Sequence, residues 1–179
     1  GVGGGGRGGG VWRGGGGGAG CRGVCGAGGA VGARRAAAAR GWRTGGAVAG
    51  ALGGWGGRPN AKCVSVMGDG SFGFTVGELE TIVRHKAPLL MIVFSNSVYG
   101  WIKASQKAGY DKRYYSVDFD RTDHARIAEA YGVKAWRVED PAKLDAAIKA
   151  AMEHDGPALI DVVAQPLQDA AAPVSQWMG

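Results

Sequence analysis

The first 57 residues contain no Asp, Glu, Lys, Asn, Gln, Ser or Pro. Eight residue types make up the whole segment, and 27 of its positions are glycine. Glycine loses the most backbone entropy on folding and has no side chain to bury, so little core is expected from residues 1–57. The segment carries 7 Arg and no acid, whereas residues 58–179 hold 14 Lys and Arg against 15 Asp and Glu. The net charge of +6 and the pI near 9.4 are therefore properties of one segment. A basic nucleic-acid-binding domain spread over the whole chain is excluded.

Other absences narrow the class further. No run approaches the roughly 18 apolar residues of a membrane span, and no charged start leads into an apolar stretch as in a signal peptide. A cytoplasmic compartment is expected. The chain has 3 Cys, an odd number, which argues against a disulfide framework. Cys21 and Cys25 have no second Cys or His pair nearby, so a zinc site is not indicated. Cys63 reads as a small core residue.

From Ala61 onward the pattern is orderly. Lys62–Met67 reads as a strand, Gly68–Gly73 as a glycine loop, and Thr75–Lys86 as a helix ended by Pro88. Leu89–Phe94 is fully apolar, which suits a central parallel strand buried on both faces. Ser95–Gly100 is a polar loop, a helix starts near Trp101, and residues 107–122 look irregular. Asp123 caps a helix over His124–Tyr131 that Gly132 ends. Lys134–Val138 is a strand, Pro141 opens a helix to about His154 with Leu144, Ile148 and Met152 as its core stripe, and Ala158–Val163 is the last strand. The tail after Pro166 is expected to order only against a partner. This order predicts an α/β fold with a doubly wound parallel sheet over residues 58–179.

The loop Gly68-Asp-Gly-Ser-Phe-Gly73 matches the dinucleotide pattern G-x-G-x-x-G. Two details oppose that reading. The next strand ends in Phe94-Ser95-Asn96, with no acid for a ribose, and Asp69 would face the pyrophosphate without a cation. An EF-hand register places Glu80 well but puts Gly73 at a ligand position and Phe74 at the turn glycine. A third reading uses both misfits. Asp69 and Asn96 are 27 positions apart, one β-α-β crossover, so they end adjacent strands about 4.8 Å apart. An acid and an amide there can share a hard divalent ion with phosphate oxygens and water, while loop amides face the same anion.

Gly68-Asp69-Gly70, then 25 residues, then Asn96 resembles the thiamine-diphosphate motif. Residues 58–179 resemble the cofactor-binding domain of the acetolactate synthase and benzoylformate decarboxylase group. The resemblance implies that Asp69 and Asn96 give side-chain oxygens, and Val98 its carbonyl, to Mg²⁺. It implies that Gly68, Gly70, Ser71, Tyr99 and Gly100 line the thiamine diphosphate site. The family usually has two asparagines where this chain has Ser95-Asn96, and acetolactate synthases commonly have methionine where it has Trp101. Trp101 reads as packing at the pocket edge. The implied reaction makes or breaks a carbon–carbon bond next to the carbonyl of a 2-keto acid, in a dimer or tetramer, with benzoylformate-type decarboxylation as the alternative. The family's activating glutamate comes from a neighbouring subunit's pyrimidine domain, and residues 1–57 offer no acid for it. No catalytic side chain is therefore assigned, and cofactor binding without turnover is expected of this chain alone.

The histidines His85, His124 and His154 lie at helix ends, where solvated or capping roles are the default. Tyr110, Tyr114 and Tyr115 sit in an irregular basic stretch that reads as packing against another subunit. The glycine-rich segment has two readings. It is a glycine-arginine RNA-binding tail on a noncatalytic α/β domain, or an out-of-frame translation of GC-rich DNA with the frame restored near Gly57–Arg58. Its irregular spacing and lack of interleaved Phe or Tyr favour the second, so the chain is expected to be a fragment of a longer enzyme.

Overall fold

The computed structural model describes residues 21–27, 36–41, 45–59 and 61–166. The expected tail after Pro166 lies outside these residues. In chain order the elements are β1 (Cys21–Ala27), β2 (Ala36–Gly41), α1 (Gly46–Gly57), β3 (Ala61–Gly68), α2 (Asp69–Gly73), α3 (Glu78–Arg84) and β4 (Leu89–Ser95). They continue as α4 (Gly100–Gly109), α5 (His124–Ala130), β5 (Lys134–Val138), a 3₁₀ turn (Pro141–Lys143), α6 (Leu144–Glu153) and β6 (Ala158–Val163).

The sheet order is β2-β1-β3-β4-β6-β5. β3, β4, β6 and β5 are parallel, as the alternation of strands and helices predicts. β1 and β2 extend this sheet as an antiparallel pair beside β3, and they lie in the glycine-rich segment.

Handedness explains where the helices go. The chain moves in one direction across the sheet from β3 through β4 to β5, so right-handed crossovers put α3 and α5 on one face. It steps back from β5 to β6, which sends α6 to the opposite face. Strand parity agrees with this. Cys63, Met67, Leu89, Met91, Val93 and Leu159 pack with α1, α3 and α5, whereas Val64, Leu90, Ile92, Ile160 and Val162 pack with α6. Each fully buried Leu, Ile or Met here is worth about 1.5–3 kcal/mol.

Several elements differ from the sequence reading. α1 contributes Ala47, Val48 and Ala51 to the core, with Leu52 and Trp55 against it, although it lies within the glycine-rich segment. The signal was present as Val48, Leu52 and Trp55 at helical spacing. The glycine loop closes into the single helical turn α2, and the following helix starts at Glu78 rather than Thr75. Phe94 is 39% exposed, so β4 is not sealed along its whole length. Met152 is 39% exposed as well. The small Ala147 and Ala151 are the buried residues of α6, and Leu144 and Ile148 flank them half-buried. Cys63 is fully buried as expected, but it is disulfide-bonded. An odd cysteine count excludes complete pairing, not a single bridge.

Lys62 ties β3 to the end of α6. Its Nζ donates to the carbonyls of Ala151 and Met152 at 2.8 Å each and to that of His154. These are orphan carbonyls of a helix C-terminus, where a cation is also favoured by the helix dipole. Burial lowers the Lys62 pKa, and nearby Asp155 opposes that shift.

Candidate functional site

The site lies where β3 and β4 end. Gly68 pairs with Phe94 across the two strands, so the next residues of each emerge side by side. Asp69 opens α2 and is 4% exposed. Its Oδ1 accepts from the Gly70 amide at 2.8 Å. Its Oδ2 accepts from the Asn96 amide at 2.8 Å and the Ser97 amide at 2.6 Å. One carboxylate therefore joins the two strand ends that the 27-residue spacing brings together.

The β4 loop is held from outside. Val98 bridges Asp118, the Tyr99 amide donates to Val117 O at 2.8 Å, and the Phe119 amide donates to Ser97 O at 3.1 Å. Val98 is thus in a non-hydrogen-bonded bridge position, and its carbonyl points away from residue 118. Its amide instead meets Asn96 Oδ1 at 3.3 Å. Ser97 has φ 57°, the left-handed region that a non-glycine residue occupies at a cost of about 1 kcal/mol or more. Its amide is thereby turned toward Asp69.

Above the loops is a cavity of about 380 Å³ lined by Asp69, Gly70, Tyr99, Phe119, His124 and several apolar side chains. Tyr99 packs on Phe119 with ring centroids 5.1 Å apart. Gly70 lies directly under Tyr99. A Cβ there would be 2.5 Å from Tyr99 Cε1, so a side chain at 70 displaces the ring. Gly70→Ala should weaken ligand binding in the cavity and cost about 1–3 kcal/mol of stability. A double-mutant cycle with Tyr99→Ala checks this, and additive losses would refute a steric cause.

The residues present fit a divalent ion and a diphosphate. A carboxylate has about four acceptor sites, and Asp69 uses three, leaving room on Oδ1. The Asn96 oxygen accepts one long bond, at 3.3 Å, and the Val98 carbonyl faces away from Asp118. This donor set is all oxygen, as Mg²⁺ requires. Among the described residues no group of three or more His, Cys, Asp or Glu could hold a metal, so a softer ion has no such site there. Ser71 is buried in α2 and Gly100 opens α4, both beside these loops. Trp101 is half-buried on α4 and does not line the cavity.

Sequence reasoning missed a buried polar chain beside the cavity. His124 is 6% exposed, not solvated, and Asp161 is fully buried. Ser95 Oγ lies 2.8 Å from His124 Nδ1 and donates to Asp161 Oδ1. The His124 amide donates to Asp161 Oδ2 at 3.1 Å, and Arg137, the cross-strand neighbour of Asp161, donates to the same oxygen at 2.6 Å. Burial alone would raise the Asp161 pKa. Hydrogen bonds with His124 and Ser95, and the charges of His124 and Arg137, instead hold it below the usual carboxylate range. The available signal was an acid in the middle of the apolar strand Ala158–Val163. His85 is exposed, and His154 is half-buried with its ring edge-on to Trp136.

The chain is similar to known proteins over most of its length. The model of the thiamine pyrophosphate enzyme, C-terminal TPP binding domain, matches residues 17–162, starting inside the glycine-rich segment. The chain is 42% identical over 105 residues to an acetolactate synthase of Bacillus subtilis, covering 59% of this chain and 18% of that protein. It is 36% identical over 110 residues to a probable acetolactate synthase large subunit of Methanococcus aeolicus, covering 61% and 18%. It is 37% identical over 112 residues to a catabolic acetolactate synthase of Raoultella terrigena, covering 63% and 20%. The chain thus spans about a fifth of the length of these relatives.

Proposed function

The chain belongs to the thiamine pyrophosphate enzymes through their C-terminal TPP-binding domain, and from that premise we propose that it forms the diphosphate and Mg²⁺ half of an acetolactate-synthase-like site acting on 2-keto acids. The observation that carries this reading is the Asp69 carboxylate, which joins the ends of β3 and β4 beneath an open cavity. Asp69, Asn96 and the Val98 carbonyl hold Mg²⁺. Gly68, Gly70, Ser71, Tyr99 and Gly100 line the bound diphosphate. Thiamine diphosphate, when bound, supplies the nucleophilic carbon for bond-making and bond-breaking next to a carbonyl. The protein's part is to fix the diphosphate, exclude water with Phe72, Phe74 and Phe119, and set the local field.

The relatives' names support a carboligating acetolactate synthase over a benzoylformate-type decarboxylase. The remaining pocket walls belong to a second subunit of a homo-oligomer in the intact enzyme, and the chain alone binds without turnover. Among the described residues no helix is long and apolar enough to cross a membrane, and a cytoplasmic enzyme is part of this proposal.

Calorimetric titration of the full chain with thiamine diphosphate tests the reading. Binding should be seen with Mg²⁺ and lost in chelator. Absence of binding in both conditions, or equal binding in both, would defeat it.

A further inference from the structure

The Ser95–His124–Asp161 chain has no role in the reading above, yet one end of it reaches the cavity. His124 is buried, and its ring lines the cavity together with Asp69 and Gly70. Nδ1 is committed to Ser95, the backbone amide to Asp161, and the ring packs edge-on against Phe72 with centroids 5.6 Å apart. Nε2 makes no hydrogen bond among the described residues. It is the ring atom left for a ligand, since His124 lines the cavity and Nε2 is not among the sealed, unpartnered polar atoms of the described residues.

The direction of the bonds determines which nitrogen carries the proton. Ionised Asp161 only accepts, and the Ser95 hydroxyl has a single hydrogen, which goes to Asp161. Ser95 Oγ therefore accepts from His124, and Nδ1 is the protonated nitrogen. In the neutral ring Nε2 is a bare lone pair, and in the imidazolium it is a second donor. The charged groups around the ring are Asp161 on β6, Arg137 on β5, Asp123 before α5 and Asp69 on α2. Asp123 is also 3.6 Å from Arg126 on its outer side.

We propose that His124 is a further diphosphate-binding residue, whose Nε2 shares one proton with a phosphate oxygen of the cofactor. This rests on the cofactor reading above and adds a residue to it. No covalent bond changes. One proton, taken up from solvent as the complex forms, lies between Nε2 and the phosphate oxygen. Ser95 and Asp161 hold the ring from behind, and Asp161 stays ionised. The all-oxygen ion site neutralises one part of the diphosphate, and His124 meets the other.

The test is calorimetric titration of the full chain at about pH 7.5, near the range where histidine titrates, in buffers of different ionisation enthalpy. Thiamine diphosphate and inorganic pyrophosphate, each with Mg²⁺, are the probes. His124→Asn keeps a partner for Ser95 and removes the group at Nε2. It should bind both probes about 10- to 100-fold more weakly, with about one proton fewer taken up on binding than in the parent. His124→Gln places a neutral N–H near the Nε2 position and should recover part of the affinity but not the proton. Equal affinity and equal proton count in the parent and both variants would overturn the assignment. So would a loss confined to thiamine diphosphate, since the ring would then meet the organic part of the cofactor. The His124 ring resonances of the parent give a readout that needs no variant. Saturating pyrophosphate should move their titration to higher pH, and an unmoved titration overturns the proposal. If the parent binds no thiamine diphosphate at all, the cofactor reading falls and this assignment falls with it.

Discussion

Replacing Asp69 with alanine should abolish Mg²⁺-dependent binding of thiamine diphosphate and also destabilise the chain without any ligand. The two effects have separate causes. The carboxylate accepts three backbone amides, from Gly70, Asn96 and Ser97. Hydrogen bonds to a charged group are worth about 1.5–3 kcal/mol each when considered singly. They are not additive, and water from the cavity can reach some of the freed donors, so the loss should be about 2–4 kcal/mol. The left-handed Ser97 would then lose the contact that offsets its backbone cost. The ligand effect should be larger, more than about 100-fold in affinity, since loss of even an outer partner of a metal ligand costs 10–100-fold. Asp69→Asn separates the two. It keeps one acceptor oxygen and removes the charge, so it should recover much of the stability and little of the binding. Urea melts and calorimetry on both variants check this. Parent-like cofactor affinity in Asp69→Ala would remove the residue from the site.

The meeting of Asp69 with the end of β4 was legible because local sequence encodes it. Asp69 and Asn96 follow strands flanking one crossover, and a crossover of that length has one handed geometry. The four parallel strands were legible for a similar reason. Leu89–Ser95 and Ala158–Val163 are too apolar and too short for anything but buried strands. The antiparallel pair β1 and β2 was not, because runs of Gly and Ala carry neither strand period nor β-branched enrichment. α1 was hidden by its glycines, which masked a three-residue apolar stripe. The polar chain failed for a different reason. Positions 95, 124 and 161 share no spacing, and only the strand order β4-β6-β5 brings β4 and β5 to either side of β6. Parity then places Ser95, Arg137 and Asp161 on the face that α5 covers. That fact comes from topology, not from any window of sequence.

Removing Asp161 should be the most damaging single change outside the ligand site. It is fully buried and satisfies Ser95, the His124 amide and Arg137 together. Asp161→Ala leaves a guanidinium beside a dry core with its main partner gone, at a cost of about 3–5 kcal/mol. Arg137 is 26% exposed at its side chain and has Glu139 as a second partner at 3.0 Å, so Arg137→Met should cost less than Asp161→Ala. The double variant should be more stable than the sum of the two losses predicts, because neither charge is then left alone. The pH dependence has a definite sign. The Asp161 carboxyl is held below its ordinary range by the hydrogen bonds and charges around it, against the opposing effect of burial. Its contribution is therefore complete above the ordinary aspartate pKa and is lost as pH falls through the lower folded value. The stability gap between the parent and Asp161→Asn should stay flat from neutral pH to about pH 4 and close below it. A gap that instead changed well above pH 4 would mean that the carboxyl is not held below its ordinary range.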